Sequence, residues 1–326
     1  MSTRIKLSIK TVAFTLILVT MVIVLYSILT GGYTLLLNID PLTIVIALIF
    51  YMISWIISAY RLRLMHILLD GEEGILPFKH YLYARLIGGL VAYLTPSAIG
   101  GELARAYYMY SRLNTSYSRY FALTIYEVYY DVMIVNIVAL GFALYRFPHT
   151  IPVILVGMGS ICFWIIAYNI FNNIVSPQVS NPIIRKLLFF IENSIVSRVK
   201  TLSNGYSSFG KAFNDLSRSA NFKFKASFIS LTLAIYFFMA LTIYTISLSF
   251  TTKHLLRTFI DAFTAVFFSL ALGALPTPGG AIAIEYGLSI TLDPVIVITA
   301  RSLIYYSTII AGLVVLIRTG IKFDQR

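Results

Sequence analysis

Residues 93–105 read YLTPSAIGGELAR, and here an apolar segment is interrupted and then ends in an acid and a base. Proline cannot donate a backbone hydrogen bond and glycine weakens a helix, so Pro96, Gly100 and Gly101 are expected to break the helix. A second stretch, residues 276–285, reads PTPGGAIAIE and interrupts another apolar segment in the same way. The sequence therefore predicts one broken helix in each half of the chain.

The composition of the chain is that of an integral membrane protein. Of its 326 residues, 59% are hydrophobic and 12% are charged, whereas a soluble domain has about 25% charged residues. The apolar runs cover residues 11–30, 42–60, 81–99, 120–145, 151–171, 226–250, 259–275 and 281–317. Most approach the roughly 20 residues that a helix needs to cross the hydrocarbon layer, and none alternates like a barrel strand. The predicted fold is an all-α polytopic membrane protein, a helical bundle with residues 1–326 as a single membrane domain.

The distribution of Lys and Arg predicts how the chain crosses the membrane. Cytoplasmic loops of membrane proteins carry an excess of these residues. If the segments near 81–110 and 259–291 each enter the membrane and return on the same side, only Arg146, Lys253 and Arg257 fall outside. This arrangement has about six spanning helices and two re-entrant segments in an inverted pair, with both termini cytoplasmic, in the cell membrane. The alternative is that each broken segment is a kinked helix that crosses the membrane in the ordinary way.

A polar insertion, residues 172–225, divides the hydrophobic part of the chain and is rich in Lys and Arg. Within residues 182–202 apolar side chains recur at spacings of three and four, which predicts a cytoplasmic amphipathic helix. A basic helix of this kind can lie on the inner membrane surface, or it can pack as a lid against the bundle. The sequence leaves both possibilities open.

Two acidic residues lie inside an apolar run. Glu127 and Asp131 are four residues apart and so on one face of a helix. A charged side chain at mid-membrane costs about 2.5 to 3.5 kcal/mol, so both carboxylates are expected to have partners. The candidate partners, and further acids near the breaks, are Arg85, Glu102, Arg105, Glu285 and Arg301. These groups form either a buried structural ion cluster or the lining of a polar cavity that binds a charged headgroup or carries protons.

Four sequence motifs occur in the same order as in a known family of membrane domains. The first is P-S-x-x-G-G-E-x-x-R, at Pro96, Ser97, Gly100, Gly101, Glu102 and Arg105. It is followed by E-x-x-x-D at Glu127 and Asp131, by P-G-G-x-x-x-x-E at Pro278, Gly279, Gly280 and Glu285, and by Arg301 with Gly312. Together the motifs resemble the flippase-like membrane domain of the lysylphosphatidylglycerol synthases over nearly the whole chain.

The resemblance implies a helical bundle that moves an aminoacylated phospholipid between leaflets, and the chain is similar to stand-alone members of the family. It departs from the family at the second break, where Ile282 and Ile284 stand in place of a Gly and an Arg. This departure removes a cation. The synthase substrate therefore does not carry over to this chain from the resemblance.

The function that the sequence favours is a flippase or transporter of a phospholipid or a lipid-linked substrate. The candidate substrate-binding residues are Arg85, Pro96, Gly100, Gly101, Glu102, Arg105, Glu127, Asp131, Pro278, Gly279, Gly280, Glu285 and Arg301. One alternative is a non-catalytic membrane partner of a separately encoded transferase or another lipid- or glycan-modifying enzyme. Another is a membrane enzyme that acts on a lipid-linked substrate, although the sequence has no recognisable catalytic motif.

No cofactor, metal site or nucleic-acid partner is expected from the sequence. A single cysteine, Cys162, cannot form an internal disulfide or a cysteine-based metal site. The net charge of +12 is explained by cytoplasmic Lys and Arg and by their attraction to anionic lipid headgroups. The expected partner is therefore the membrane lipid itself.

Overall fold

The computed structural model describes residues 9–30, 39–72, 74–95, 100–113, 115–173, 200–250, 254–275, 277 and 281–320. Within these ranges every regular element is a helix. The helices are α1 (Ile9–Thr30), α2 (Pro41–Asp70), α3 (Phe78–Tyr93), α4 (Gly100–Leu113), α5 (Tyr117–Tyr145), α6 (Ile151–Asn172), α7 (Lys200–Ser219), α8 (Phe222–Leu248), α9 (Leu255–Leu272), α10 (Ala281–Ser289) and α11 (Pro294–Thr319).

Six of the described helices, α2, α5, α6, α8, α9 and α11, are long and apolar enough to cross a membrane. This finding confirms the predicted multi-pass membrane protein. Helices α3 and α10 have 16 and 9 residues and are shorter than a spanning helix. Helix α9 covers the first part of the predicted re-entrant segment 259–291, yet it is long enough to span alone. The side of the membrane on which each loop and terminus lies stays a prediction.

Helix α2 is longer than the sequence predicts. Asp40 caps its start by accepting a hydrogen bond from the Leu42 N–H (3.3 Å), and Pro41 occupies the first turn. The apolar run predicts an end near residue 60, with Arg61 beyond it, but the helix continues to Asp70. Arg61, just beyond the apolar run, is buried against carboxylates of another helix, which offset the cost of its charge.

Both predicted interruptions separate two helices. In the first, α3 ends at Tyr93 and α4 begins at Gly100, whose N–H donates to Thr95 Oγ1 (3.1 Å). In the second, α9 ends at Leu272 and α10 begins at Ala281. Re-entry of these segments from opposite membrane faces stays a prediction.

The two helices on either side of each interruption are packed backbone to backbone. A Cβ on Gly101 of α4 would lie 2.8 Å from the carbonyl oxygen of Gly88 in α3. A Cβ on Gly287 of α10 would lie 2.6 Å from the Cα of Ser269 in α9. Small residues at such crossings let membrane helices approach closely. We call α3 with α4 the first broken pair, and α9 with α10 the second broken pair.

The order of helices repeats along the chain. The first half, residues 41–145, contains α2, the first broken pair and α5, and the second half, residues 222–319, contains α8, the second broken pair and α11. Helix α2 packs against α8, α3 packs against α11, and α5 packs against α9. Each broken pair therefore contacts the last helix of the other half, and corresponding helices make corresponding contacts.

Helix α7 is the described part of the polar insertion, and it packs against the bundle. Phe209, Phe213 and Leu216 are buried, and the ring of Phe213 lies 5.3 Å from that of Tyr126 in α5 and 5.5 Å from that of Phe171 in α6. This packing fits the lid alternative for residues 200–219. Most of the predicted amphipathic helix falls within residues 174–199, which lie outside the described residues.

Candidate functional site

A central cavity of about 430 Å³ lies between the two halves. It is bordered by α2, α3, α4, α5, α8, α9 and α10, so both broken pairs contribute to its wall. Gly101 of the first broken pair and Gly273, directly after α9, are both part of that wall. The charged residues that the described part of the wall contains are Arg85, Glu102, Arg105 and Asp131. Several predicted substrate-binding residues are thus brought to one cavity.

Behind this wall lies a fully buried carboxylate, that of Glu127. Arg61 Nε donates to its Oε1 (3.0 Å), Arg105 Nη1 donates to its Oε2 (2.8 Å), and Arg85 Nη2 also donates to Oε1. Charge-assisted hydrogen bonds are the strong ones, and they are what a buried charge requires. Of the predicted partners of Glu127, Arg85 and Arg105 contact it.

Two further acids complete the neutralisation of these arginines. Asp131 receives both Nη groups of Arg61, at 2.5 and 2.7 Å, in the two-pronged arrangement that suits a guanidinium. Glu102 Oε1 accepts from Arg105 Nη2 at 3.0 Å. The exposed fractions of the Asp131 and Glu102 side chains are 24% and 22%, whereas that of Glu127 is 0%. Glu127 is therefore the buried centre, and the other two acids face the cavity.

We call this group the ion network; its members are Arg61, Arg85, Glu102, Arg105, Glu127 and Asp131. It contains as many arginines as carboxylates, so its formal charges cancel. One part of the network is a buried ion cluster, and the other part reaches the cavity wall. Binding of a charged headgroup or transport of protons by these groups stays a prediction.

Arg61 is a residue of the candidate site that the sequence-based prediction missed. Besides its two carboxylate partners, its Nη1 donates to Thr232 Oγ1 (2.5 Å), and its guanidinium lies 4.8 Å from the ring centroid of Phe228. A signal for it does exist in the sequence. Ser54, Ser58 and Arg61 are spaced by four and three residues, a polar stripe along an otherwise apolar helix. The two serines of this stripe line the cavity.

The second broken pair carries a separate buried ion pair. Arg301 Nε donates to Glu285 Oε1 at 2.7 Å, and both side chains are almost fully buried. The Arg301 guanidinium also lies 5.2 Å from the ring centroid of Tyr93 and 5.4 Å from that of Tyr305. The sequence names Arg301 as a candidate partner of Glu127 and Asp131, but it pairs with Glu285 instead.

The remaining predicted site residues divide into two groups. Gly100 and Gly101 form the start of α4, where Gly101 contacts α3 and lines the cavity. The others, Pro96, Pro278, Gly279 and Gly280, lie outside the described residues. Across the described ranges, no three His, Cys, Asp or Glu side chains come together in a way that would hold a metal ion.

Comparison with known proteins supports the family that the motifs indicate. A family model described as the lysylphosphatidylglycerol synthase TM region matches residues 11–319, which is nearly the whole chain. Neither the search of curated proteins nor the search of solved structures gave a match. The match over nearly the whole chain is therefore sufficient to assign the family.

Proposed function

Because the chain belongs to the family of the lysylphosphatidylglycerol synthase transmembrane region, we propose that it moves a phospholipid or a lipid-linked molecule across the membrane. The observation that carries this proposal is the central cavity, whose wall presents charges of both signs between two broken helix pairs. Gly/Pro-interrupted segments in corresponding halves of a membrane protein are the typical setting of a transporter's binding site. The proposed activity neither breaks nor forms a covalent bond and requires no cofactor.

The wall of the cavity suits a headgroup that carries both a phosphate and a cationic group. Arg85 and Arg105 can donate to phosphate oxygens, because a guanidinium matches phosphate geometry. Glu102 and Asp131 can accept from an amine. Glu127 contacts both cavity-facing arginines from behind and holds them in position before any ligand arrives, which is the preorganisation that a binding site needs. A bound headgroup would form hydrogen bonds with the arginines and carboxylates of the ion network, in place of some of the bonds that these residues make with one another.

Alternating access fits the repeated arrangement of the two halves. We expect the broken pairs to be re-entrant segments in an inverted pair, with both termini and the polar insertion on the cytoplasmic side of the cell membrane. The reciprocal packing of α3 on α11 and of α5 on α9 supports the pairing of the two halves. Rocking of one half against the other would then open the cavity to each side in turn.

The alternative of a non-catalytic partner for separately encoded enzymes would use the polar insertion as a docking surface. In the described part of that insertion, the apolar face of α7 is already buried on α5 and α6. The exposed face is polar, and no specific observation favours a protein partner there. Transport of lipid is therefore the function that we propose.

The proposal is tested with purified protein in vesicles that contain phosphatidylglycerol or phosphatidylethanolamine with a fluorophore on one acyl chain. Dithionite added outside destroys the outer-leaflet signal, so the loss of the protected signal measures translocation. Arg105→Ala should slow translocation by about tenfold or more, because a hydrogen bond to a charged group contributes about 1.5–3 kcal/mol.

The matched control is Arg146→Gln, which removes a different arginine and its ion pair with Asp261. Neither residue of that pair is part of the cavity wall, so the control should translocate lipid at the wild-type rate. Wild-type rates in folded Arg105→Ala protein, for both lipids, would overturn the proposed function.

A further inference from the structure

A second, apolar groove adjoins the central cavity. It encloses about 600 Å³ between α5, α6 and the residues that follow α9. Its walls include Ile125 and Val132 of α5, Val156 and Phe163 of α6, and Leu275 beyond α9. Glu102 is the charged group that the described residues contribute to it. The groove therefore has the surface of a hydrocarbon site with one polar end.

The groove and the cavity share part of their walls. Glu102, Val128, Val132 and Ala274 line both of them. Glu102 is bound to Arg105, a member of the cavity wall. A molecule that reaches both spaces would thus meet the four charged side chains of the cavity wall at one end and, at the other, a wall whose described charge is that of Glu102 alone.

The other side of the groove opens on the outer surface of the bundle. Phe163 at its rim is 64% exposed, and Leu155 and Ile166 on the same helix are also exposed. Helix α6 is among the helices apolar enough to span a membrane, so this surface faces hydrocarbon. Gly159 and Ser160, on the same helix, also line the groove.

We infer that the groove holds a hydrocarbon chain of the lipid whose headgroup occupies the central cavity, and that the lipid enters sideways from the membrane past the exposed face of α6. This inference rests on the proposed function and adds to it a binding site for the hydrocarbon chain of the substrate. Lipid chains and an apolar groove are equally apolar surroundings, so the chain can stay in the groove while the headgroup leaves water for the cavity. A polar solute without a hydrocarbon chain would not occupy the groove.

Filling the groove tests the inference directly. Gly159 of α6 lines the groove, and a Cβ built on it has no heavy atom within 4 Å. Gly141 of α5 has the same open surroundings but is not part of the groove or cavity wall. Gly159→Trp should slow translocation of the fluorescent phosphatidylglycerol by about tenfold, and Gly141→Trp should leave it unchanged.

The outcome separates the groove from the proposed function. If Gly159→Trp translocates at the wild-type rate while Arg105→Ala is slow, the groove inference is wrong and the transport function stands. If Arg105→Ala also translocates at the wild-type rate, the proposed function itself is wrong.

A second measurement keeps the inference testable should Gly159→Trp fail to fold. Trp164 lines the groove, so phosphatidylglycerol with bromine on its acyl chain should quench its fluorescence in detergent micelles. The Trp164 signal is obtained as the difference between wild type and Trp164→Phe. Quenching should weaken in Arg105→Ala, because the headgroup is no longer anchored in the cavity. Equal quenching in wild type and Arg105→Ala would overturn the inference, since it would show only non-specific contact with lipid.

Discussion

In each half, a charged residue of the broken pair contacts an oppositely charged residue of the helix that follows, but the signs of the two charges are exchanged between the halves. In the first half, Arg105 on α4 donates to Glu127 on α5. In the second half, Glu285 on α10 accepts from Arg301 on α11. The cation thus lies on the broken pair in one half and on the following helix in the other. The comparison shows that the broken pair can carry either a cation or an anion at this contact, provided that the following helix supplies the opposite charge.

The surroundings of the two contacts differ more than the contacts themselves. The Arg105–Glu127 contact continues into the ion network and reaches the cavity, whereas Arg301 is covered by the rings of Tyr93 and Tyr305. Within the described residues, Ile284 reaches the cavity wall, but its neighbour Glu285 does not. Of the two ion-paired contacts, only that of the first broken pair therefore extends to the described cavity wall, and under the proposed function it would present the binding chemistry while the second would serve as a structural anchor.

The largest expected effect comes from removing the centre of the ion network. Glu127→Ala leaves three arginines without their common carboxylate, and loss of one partner of a buried ion pair costs about 3–5 kcal/mol. The free energy of unfolding in detergent, measured by denaturant titration, should fall by that amount. Asp261→Ala, which removes a carboxylate from a partly exposed pair with Arg146, should cost about 1 kcal/mol or less. Equal losses in the two variants would contradict the central role of Glu127.

A double-mutant cycle in the second half tests whether its ion pair is only an anchor. Arg301→Met alone leaves Glu285 buried and unpaired and should cost about 3 kcal/mol or more. Adding Glu285→Leu should recover most of this loss, because a buried ion pair can often be replaced by apolar residues of similar volume. The double variant should also translocate lipid at close to the wild-type rate. Loss of translocation in a folded double variant would show that the second pair takes part in transport.

The smallest expected effect comes from separating the helices of each broken pair. Gly101→Ala and Gly287→Ala both place a Cβ within 3 Å of backbone in the neighbouring helix, and overpacking of this kind costs about 1–3 kcal/mol. Gly141→Ala meets open space and should be neutral or slightly stabilising. Denaturant titration of the three variants measures the difference. A neutral Gly287→Ala with a destabilising Gly101→Ala would show that only the first pair depends on close packing.

The features that could be predicted from the sequence are those set by local composition. Apolar runs define the spanning helices, and the Pro and Gly residues define the interruptions. The need of Glu127 for positive partners also follows from the cost of a charge in hydrocarbon. Partner identity does not follow, because it depends on how helices distant in sequence are rotated against each other.

Arg61 and Arg301 illustrate this limit in opposite ways. Arg61 lies beyond the apolar run, yet it remains helical and buried because Glu127 and Asp131 neutralise it. Arg301 lies within an apolar run, yet its carboxylate partner is Glu285, on the short helix just before it in the chain. Hydropathy locates a charge along the chain but does not determine which charge it meets.

The convergence of three arginines on Glu127 also has a mechanical consequence. The arginines belong to α2, α3 and α4, and Glu127 belongs to α5, so one carboxylate links all four helices of the first half. A motion that separates the halves must strain contacts between them, such as the hydrogen bonds of Arg61 with Thr232 and of Tyr51 with Thr308. Hydroxyl contacts of this kind are individually weaker than the charge-assisted bonds of the carboxylate that joins the four helices.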